Sequence, residues 1–278
     1  MSERIDYRIQ PRMKWYMVQQ TALELVEASK HSGIQPEKMV FIGGFAAFLH
    51  LREVVGTKAL PRWRGTEDID IAIFERGGSA KLIKGIERRS VDKAFEIKYK
   101  HPHFPDKASC EINGKGKGFL DPKQRWVDLD LYSPSEVSHN KIHFNNRVLG
   151  GFPDNFITEP VIVRENASVP TIADCLILKL DIVNYTSKSD LRLKDKIDIL
   201  SLLLSGESYG IRVDSLLKSV LSRVDRFWLG RTKQIFSGVL SMAKSFEGNP
   251  YVFLPSVQYL KSAKDYLSKS TSELDNIY

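Results

Sequence analysis

The feature that most constrains this chain is a pair of acidic residues at the start of a β-branched, apolar run. The run is TEDIDIAIF at residues 66–74. Side chains alternate between the two faces of a strand, so Asp68 and Asp70 project from one face and can reach one site. Two close carboxylates repel each other unless a cation lies between them, and Mg²⁺ takes such oxygens as ligands together with substrate phosphates. Chance triplets of this kind also occur, with one Asp in solvent and the other in a salt bridge.

A second acidic and apolar alternation follows at residues 125–132, RWVDLDLY. It predicts another strand, on which Asp128 and Asp130 share a face. If this strand lies beside the first, three or four carboxylates converge on one cavity. Such a cavity can hold two metal ions that clamp the attacking and leaving oxygens of an in-line phosphoryl displacement. Both acids could supply the third carboxylate, and we favour Asp128.

Two glycines precede the first acidic pair. Gly43 and Gly44 follow the apolar run at residues 39–42 and open a helix predicted over residues 45–55. Glycines at a strand-to-helix junction let the backbone approach an anion, and the helix N-terminus directs unpaired N–H groups at it. A tight turn with no ligand accounts for the same pair of residues.

The order of these signals resembles the polymerase-beta-like nucleotidyltransferase superfamily. The long interval from Gly44 to Asp68 is similar to the AbiEii/AbiGii-type abortive-infection toxin branch, in which a helix and a loop intervene; the loop here is RWRGTEDID at residues 62–70. That branch also carries a lysine in an apolar helix and a later K-D-x-x-D segment. This chain has CLILKL at residues 175–180 and RLKDKIDIL at residues 192–200. The resemblance covers about residues 40–204.

The resemblance implies a fold and an activity. The fold is α/β (α+β), a nucleotidyltransferase-type mixed sheet flanked by helices, followed by a C-terminal helical region. The activity is transfer of a nucleoside monophosphate from a nucleoside triphosphate to a hydroxyl, with release of pyrophosphate. Two Mg²⁺ ions are expected on Asp68, Asp70 and the third acid, Asp128 or Asp130, which also accepts the hydroxyl proton.

Several residues are expected to contact the triphosphate. Gly43 and Gly44 present backbone N–H groups to it, and Thr66 donates a hydrogen bond alongside. Arg64 and Lys179 neutralise the charge that develops on the leaving pyrophosphate.

Two charged positions in the later helices acquire a role only through the resemblance. From the sequence alone Lys179 either extends to the surface along its apolar helix or points at an anion in a cleft. Asp195 and Asp198 similarly fit helix-surface charges that Lys194 and Lys196 balance. The resemblance favours the anion for Lys179 and makes Asp195 a catalytic residue.

The acceptor is inferred from charge and resemblance together. Lysine and arginine number 41 against 34 acidic residues, a net charge of +7, which suits a polyanionic partner. The resemblance implies RNA, specifically tRNA, and a separate antitoxin protein. Two alternatives remain open: a small-molecule, antibiotic-type nucleotidyltransferase, and a non-catalytic module that binds nucleotide or RNA.

Domain organisation and location follow from the patterning. Residues 1–170 alternate strand and helix signals and are predicted to form the catalytic domain, whereas residues 171–278 are almost entirely helical in pattern. Cys110 and Cys175 lie far apart without metal-type spacing, and no uninterrupted apolar stretch approaches a membrane span of about 18 residues. We therefore expect a cytoplasmic protein with no membrane partner.

Overall fold

The fold was obtained as a computed structural model. It describes residues 11–56, 66, 68–75, 77–90, 95–100, 107–112, 126–132, 134–138, 141–144, 161–162, 167–185, 191–249 and 252–275. Some strand residues among them, including Asp128, are described by their backbone alone. The described residues group into two compact units, one drawn from residues 1–46 and 64–170 and the other from residues 47–63 and 171–278.

The first unit is built on a mixed sheet of seven strands. In chain order these are β1 Met39–Ile42, β2 Asp68–Ile73, β3 Phe95–Lys100, β4 Lys107–Ile112, β5 Trp126–Tyr132, β8 Val161–Ile162 and β9 Ser168–Val169. Their order in the sheet is β3-β4-β5-β2-β1-β9-β8. The pairs β2–β5 and β1–β9 are parallel and the other four are antiparallel. Strands β6 Pro134–Ser138 and β7 Lys141–Phe144 pair separately as an antiparallel hairpin.

The central strands follow directly from the sequence pattern. Strand β1 is buried along its whole length. In β2 and β5 the apolar residues at alternate positions are almost completely buried: Ile69, Ile71, Ile73, Val127, Leu129 and Leu131. The acidic positions alternate with them, so one side of each strand fills the core and the other carries the carboxylates. The predicted mixed sheet flanked by helices is confirmed.

Helices α1 (Pro11–His31) and α3 (Gly78–Ser90) pack against each other and against the sheet. The two helices approach each other closely at Gly85, where a Cβ atom would overlap the backbone carbonyl of Ala28 and the hydroxyl of Ser32. The Ser32 hydroxyl already donates to the Ala28 carbonyl, at 2.7 Å. Glycine is therefore required at residue 85 for α3 to lie this close to α1.

The second unit is helical, as the pattern after residue 170 predicts. It contains α4 Ile172–Tyr185, α5 Leu193–Ser208, α6 Val213–Leu221, α7 Arg226–Met242 and α8 Val257–Asp275. Leucines and Phe236 fill its core, the innermost being Leu176, Leu180, Leu200, Leu203, Leu217 and Phe236.

Helix α2, Gly43–Val55, begins two residues earlier than predicted, and its residues from Ala47 onward group with the second unit. Among the helices that the structure describes, none is long and apolar enough to cross a membrane.

The contact at Gly85 generates a stability prediction with an internal control. Gly85→Ala should lower the free energy of unfolding by about 1–3 kcal/mol, because the added methyl group forces α1 and α3 apart. Gly238→Ala in α7 should raise it by up to about 1 kcal/mol, since that helical position is exposed and open. Denaturant unfolding followed by circular dichroism measures both, and equal effects would contradict the close approach at residue 85.

Candidate active site

The site is organised by the pairing of β2 with β5. The two strands are parallel neighbours, with Asp68 opposite Asp128 and Asp70 opposite Asp130. Neighbouring strands lie about 4.8 Å apart and register partners occupy the same face of a sheet. The four aspartates therefore hold a two-by-two block of positions on one face, which we call the aspartate block. The hypothesis that the two acidic strands are adjacent is confirmed.

Thr66 fixes the first carboxylate of the aspartate block. Its hydroxyl donates to Oδ1 of Asp68 at 2.6 Å, and it lies 3.2 Å from the Asp68 backbone carbonyl. Thr66 is itself buried. A hydroxyl has a single proton to donate, and the shorter contact gives it to the carboxylate. Thr66 thus orients Asp68, and its predicted contact with phosphate stays a prediction.

Gly43 lies directly against the second carboxylate. In the β1–β2 ladder Ile42 pairs with Asp70, and Gly43 follows with φ of +65°, a conformation that side chains rarely adopt. A Cβ atom at residue 43 would overlap Oδ2 of Asp70 and lie 3.2 Å from its Cγ. Glycine is required here both for the backbone conformation and for the space. The two sequence signals, glycine and acid, therefore meet at one point, where Gly44 continues into the first turn of α2.

The other residues predicted for the acidic site are described to different extents. Arg64 lies outside the described residues, and the Asp128 side chain is not described. Asp130 is half-buried. Among the side chains that are described, no group of three or more His, Cys, Asp or Glu could hold a metal ion. The described part of the site therefore consists of Asp68, Asp70 and Asp130 with their supports, Thr66 and Gly43.

Lys179 and Asp195 lie in the second unit and contact each other. The Lys179 ammonium is 3.1 Å from Oδ1 of Asp195 and 2.8 Å from Oδ2 of Asp198. Lys179 is only 7% exposed, Asp195 1% and Asp198 0%. The interpretation of the two aspartates as helix-surface charges is wrong, because both are buried. The extension of Lys179 to the surface is wrong for the same reason.

Arg192 completes this buried charge cluster and was not predicted from the sequence. Its Nε donates to Oδ2 of Asp195 at 2.7 Å and its Nη2 donates to Oδ1 at 3.3 Å. Burial by itself raises the pKa of Asp195, but the charge of Lys179 and the hydrogen bond from Arg192 outweigh it, so the pKa lies below its ordinary value. The available signal was the spacing of three residues between Arg192 and Asp195 on one helix end.

Comparisons with known proteins add little to this geometry. No family model matches the chain, and no curated protein matches it. A solved structure of the antibiotic-resistance factor ANT(2'')-Ia is similar at 11% identity, over 82% of this chain and 98% of that one, with a TM-score of 0.39. A likeness at that TM-score carries no conclusion about family or function.

The Gly43 contact predicts a large effect from a single methyl group. Gly43→Ala should cost about 1–2 kcal/mol from the left-handed backbone and about 1–3 kcal/mol more from overlap with Asp70. Gly33→Ala is the matched control, because Gly33 has a similar φ of +70° but open space around its Cβ position. Denaturant unfolding of both variants measures the difference. Equal destabilisation would show that residue 43 is not pressed against the carboxylate.

The buried cluster predicts a pH-dependent loss of stability in Lys179→Met. Removing the cation leaves Asp195 and Asp198 buried with less compensation, which should cost about 3–5 kcal/mol near pH 7. Without the charge of Lys179, burial has more weight in setting the pKa of Asp195 and favours its protonated form, so the free energy of unfolding of the variant should fall as pH rises above about 4. In the wild type the lowered pKa of Asp195 acts oppositely, with its contribution present above about pH 4 and lost below.

Lys196→Met is the control for this measurement. Lys196 lies on the same helix as the two aspartates but is half-exposed. Its replacement should change the free energy of unfolding by no more than about 0.5 kcal/mol at any pH between 4 and 8. A Lys179→Met variant as stable as Lys196→Met would contradict the assignment of the buried cluster.

Proposed function

We propose that the chain is a Mg²⁺-dependent nucleotidyltransferase that transfers a nucleoside monophosphate from a nucleoside triphosphate to a hydroxyl of RNA. The observation that carries the proposal is the aspartate block, with the backbone of Gly43 held against Asp70. Carboxylates concentrated beside a glycine-opened helix N-terminus provide ligands for a cation and donors for a phosphate at one place.

The chemistry of the donors fits Mg²⁺. Mg²⁺ is usually held by one or two carboxylates together with substrate phosphates and water, so a complete protein cage of three ligands is not required. Asp68 and Asp70 are the two carboxylates, and the hydrogen bond from Thr66 orients one of them, as ligand-supporting groups do in metal sites. Bound Mg²⁺ would supply charge neutralisation at the phosphates and a lowered pKa of the acceptor hydroxyl.

The strand register supports Asp128 as the third carboxylate. In the antiparallel β4–β5 pair Asp130 lies opposite Lys107, whereas Asp128 lies opposite Ser109. Opposite charges at register-matched positions attract each other, so a lysine position opposite Asp130 and a serine position opposite Asp128 favour Asp128 as the metal ligand. Asp128 then serves as ligand and general base, with Asp130 as the alternative.

The reaction follows from these roles. The oxygen of the acceptor hydroxyl attacks the α-phosphorus of the triphosphate, and its proton passes to the third carboxylate. The bond between the α-phosphorus and the oxygen bridging to the β-phosphate breaks, and pyrophosphate leaves. The backbone N–H groups of Gly43 and Gly44 orient the triphosphate, and Arg64 neutralises the charge that builds on the leaving group.

In the second unit, the resemblance leads us to propose Lys179 as a residue that binds a phosphate group, with Asp195 and Asp198 holding its ammonium in one position. The support is that a lysine buried on a pair of carboxylates is pre-organised, whereas a surface lysine is mobile.

RNA, and tRNA in particular, is the acceptor we propose, with a toxin role opposed by a separate antitoxin protein in the cytoplasm. The net charge of +7 supports a polyanionic acceptor. The tRNA and the antitoxin rest on the resemblance alone, and the location rests on the spacing of the cysteines and the lack of a long apolar stretch in the sequence.

Asp70→Asn tests the proposal. The purified chain is incubated with total RNA, Mg²⁺ and each α-³²P-labelled nucleoside triphosphate in turn. We expect label in tRNA-sized RNA with one nucleotide, and at least about a 100-fold lower rate in Asp70→Asn because a metal ligand is lost. Asp265→Asn, an exposed aspartate in α8, is the matched control and should retain the full rate.

Three outcomes would redirect the assignment. Label on a small molecule and not on RNA would identify an antibiotic-type acceptor. Mg²⁺-dependent binding of triphosphate without transfer to any acceptor would identify a binding module. An Asp70→Asn variant that transfers at the wild-type rate, with an unchanged circular dichroism spectrum, would contradict the aspartate block as the active site.

A further inference from the structure

An aromatic residue stands exposed at the start of α7. Phe227 is 79% exposed, more than any other aromatic residue among the described side chains. Its ring packs edge-to-face on Trp228, with ring centroids 4.7 Å apart and planes at 82°. An aromatic ring left in water contributes little to folding, because most of its apolar surface is not buried. The residue type at position 227 is therefore not explained by the stability of the helical unit.

The exposed ring is held in place by its surroundings. The Asp225 carboxylate caps α7 by accepting from the backbone N–H of Phe227 at 2.8 Å. The Arg231 guanidinium lies 5.6 Å from the centroid of the Trp228 ring and donates to the Val183 carbonyl at 3.2 Å. We call Phe227, Trp228 and Arg231 the aromatic platform. Because the helix start is capped and Arg231 is anchored, the backbone that carries Phe227 and the arginine beside Trp228 lose little freedom when a ligand binds.

Arginines outnumber acids next to the aromatic platform. Arg226 and Arg231 lie within four residues of Phe227 in the sequence, against the single acid Asp225, whereas Arg223 already pairs with Asp174. The Asp225 carboxylate already accepts the helix-capping hydrogen bond. Arg226, next to the exposed ring, is itself exposed. An exposed ring bordered by arginine provides a π-face for a base and a cation for a phosphate.

We propose that the aromatic platform binds single-stranded RNA, with an unpaired base stacked on Phe227 and the neighbouring phosphate held by Arg226. Aromatic and arginine residues are also frequent in protein–protein contacts. The exposed Arg226, together with Arg231 and against one acid that is already engaged in capping, favours a polyanion over a protein surface of mixed charge. The choice of RNA rests on the proposed function, whereas the stacking itself requires no nucleotidyl transfer.

The test measures binding of a fluorescein-labelled 12-nucleotide oligouridylate by anisotropy, without nucleoside triphosphate. Phe227→Ala should weaken binding roughly 5- to 150-fold, the effect of losing one stacked base, and Phe227→Tyr should retain it. Arg226→Gln should reduce the slope of log affinity against log salt by about 0.7, since one phosphate contact is lost. Val257→Ala is the control, because Val257 is equally exposed, at 82%, but lies on α8.

Defined outcomes would overturn the proposal. Equal affinity of the wild type and Phe227→Ala would remove the stacking contact. Tighter binding of the matching DNA strand than of the RNA would overturn the choice of RNA. Self-association of the wild type that Phe227→Ala abolishes, with no change in RNA affinity, would assign the surface to a protein contact.

Repeating the titration with Asp70→Asn separates this inference from the proposed activity. If that variant binds the oligouridylate as the wild type does while neither protein incorporates label, the transferase proposal fails and the aromatic platform stands. If label is incorporated but Phe227→Ala binds normally, the aromatic platform fails and the transferase proposal stands.

Discussion

The register between β2 and β5 is the constraint on which the candidate active site depends. It is fixed by the buried face of the strands, where Ile69, Ile71 and Leu129 are almost fully removed from water. A slip of one residue would expose those side chains and bury the acids, at about 1.5–3 kcal/mol for each apolar side chain lost from the core. Burial of the apolar side chains thus determines where the carboxylates lie, although the two sets of side chains are on opposite faces of the strands.

Two local departures from ordinary backbone and charge patterns coincide at the aspartate block. Gly43 takes a left-handed conformation against a carboxylate, and acids occupy neighbouring positions on parallel strands. Each of these features costs free energy in a fold optimised only for stability. Their coincidence at a strand end beside a helix N-terminus is typical of a binding or catalytic site, where such costs are retained for function.

Periodicity alone predicted β2, β5 and the helices of the second unit, because their apolar faces are regular over six residues or more. It could not predict that Asp195 and Asp198 are buried, because the neighbouring Lys194 and Lys196 give the start of α5 the charge pattern of a helix surface. Their partner Lys179 lies on a different helix, α4, and only tertiary packing brings it within 3.1 Å. Short elements such as the hairpin of β6 and β7 carry too few residues for a period to be recognised.

The buried cluster and the aspartate block differ in the charges that their own residues supply. In the buried cluster Lys179 and Arg192 balance Asp195 and Asp198, so that two cations meet two anions and the cluster can be explained by folding alone. Strands β2 and β5 supply the four acids of the aspartate block, and neither these strands nor β1 contain a lysine or arginine. Adjacent β4 offers a register-matched lysine only to Asp130. Acids concentrated in this way are suited to a divalent cation, which is why the proposed function is built on the aspartate block and not on the buried cluster.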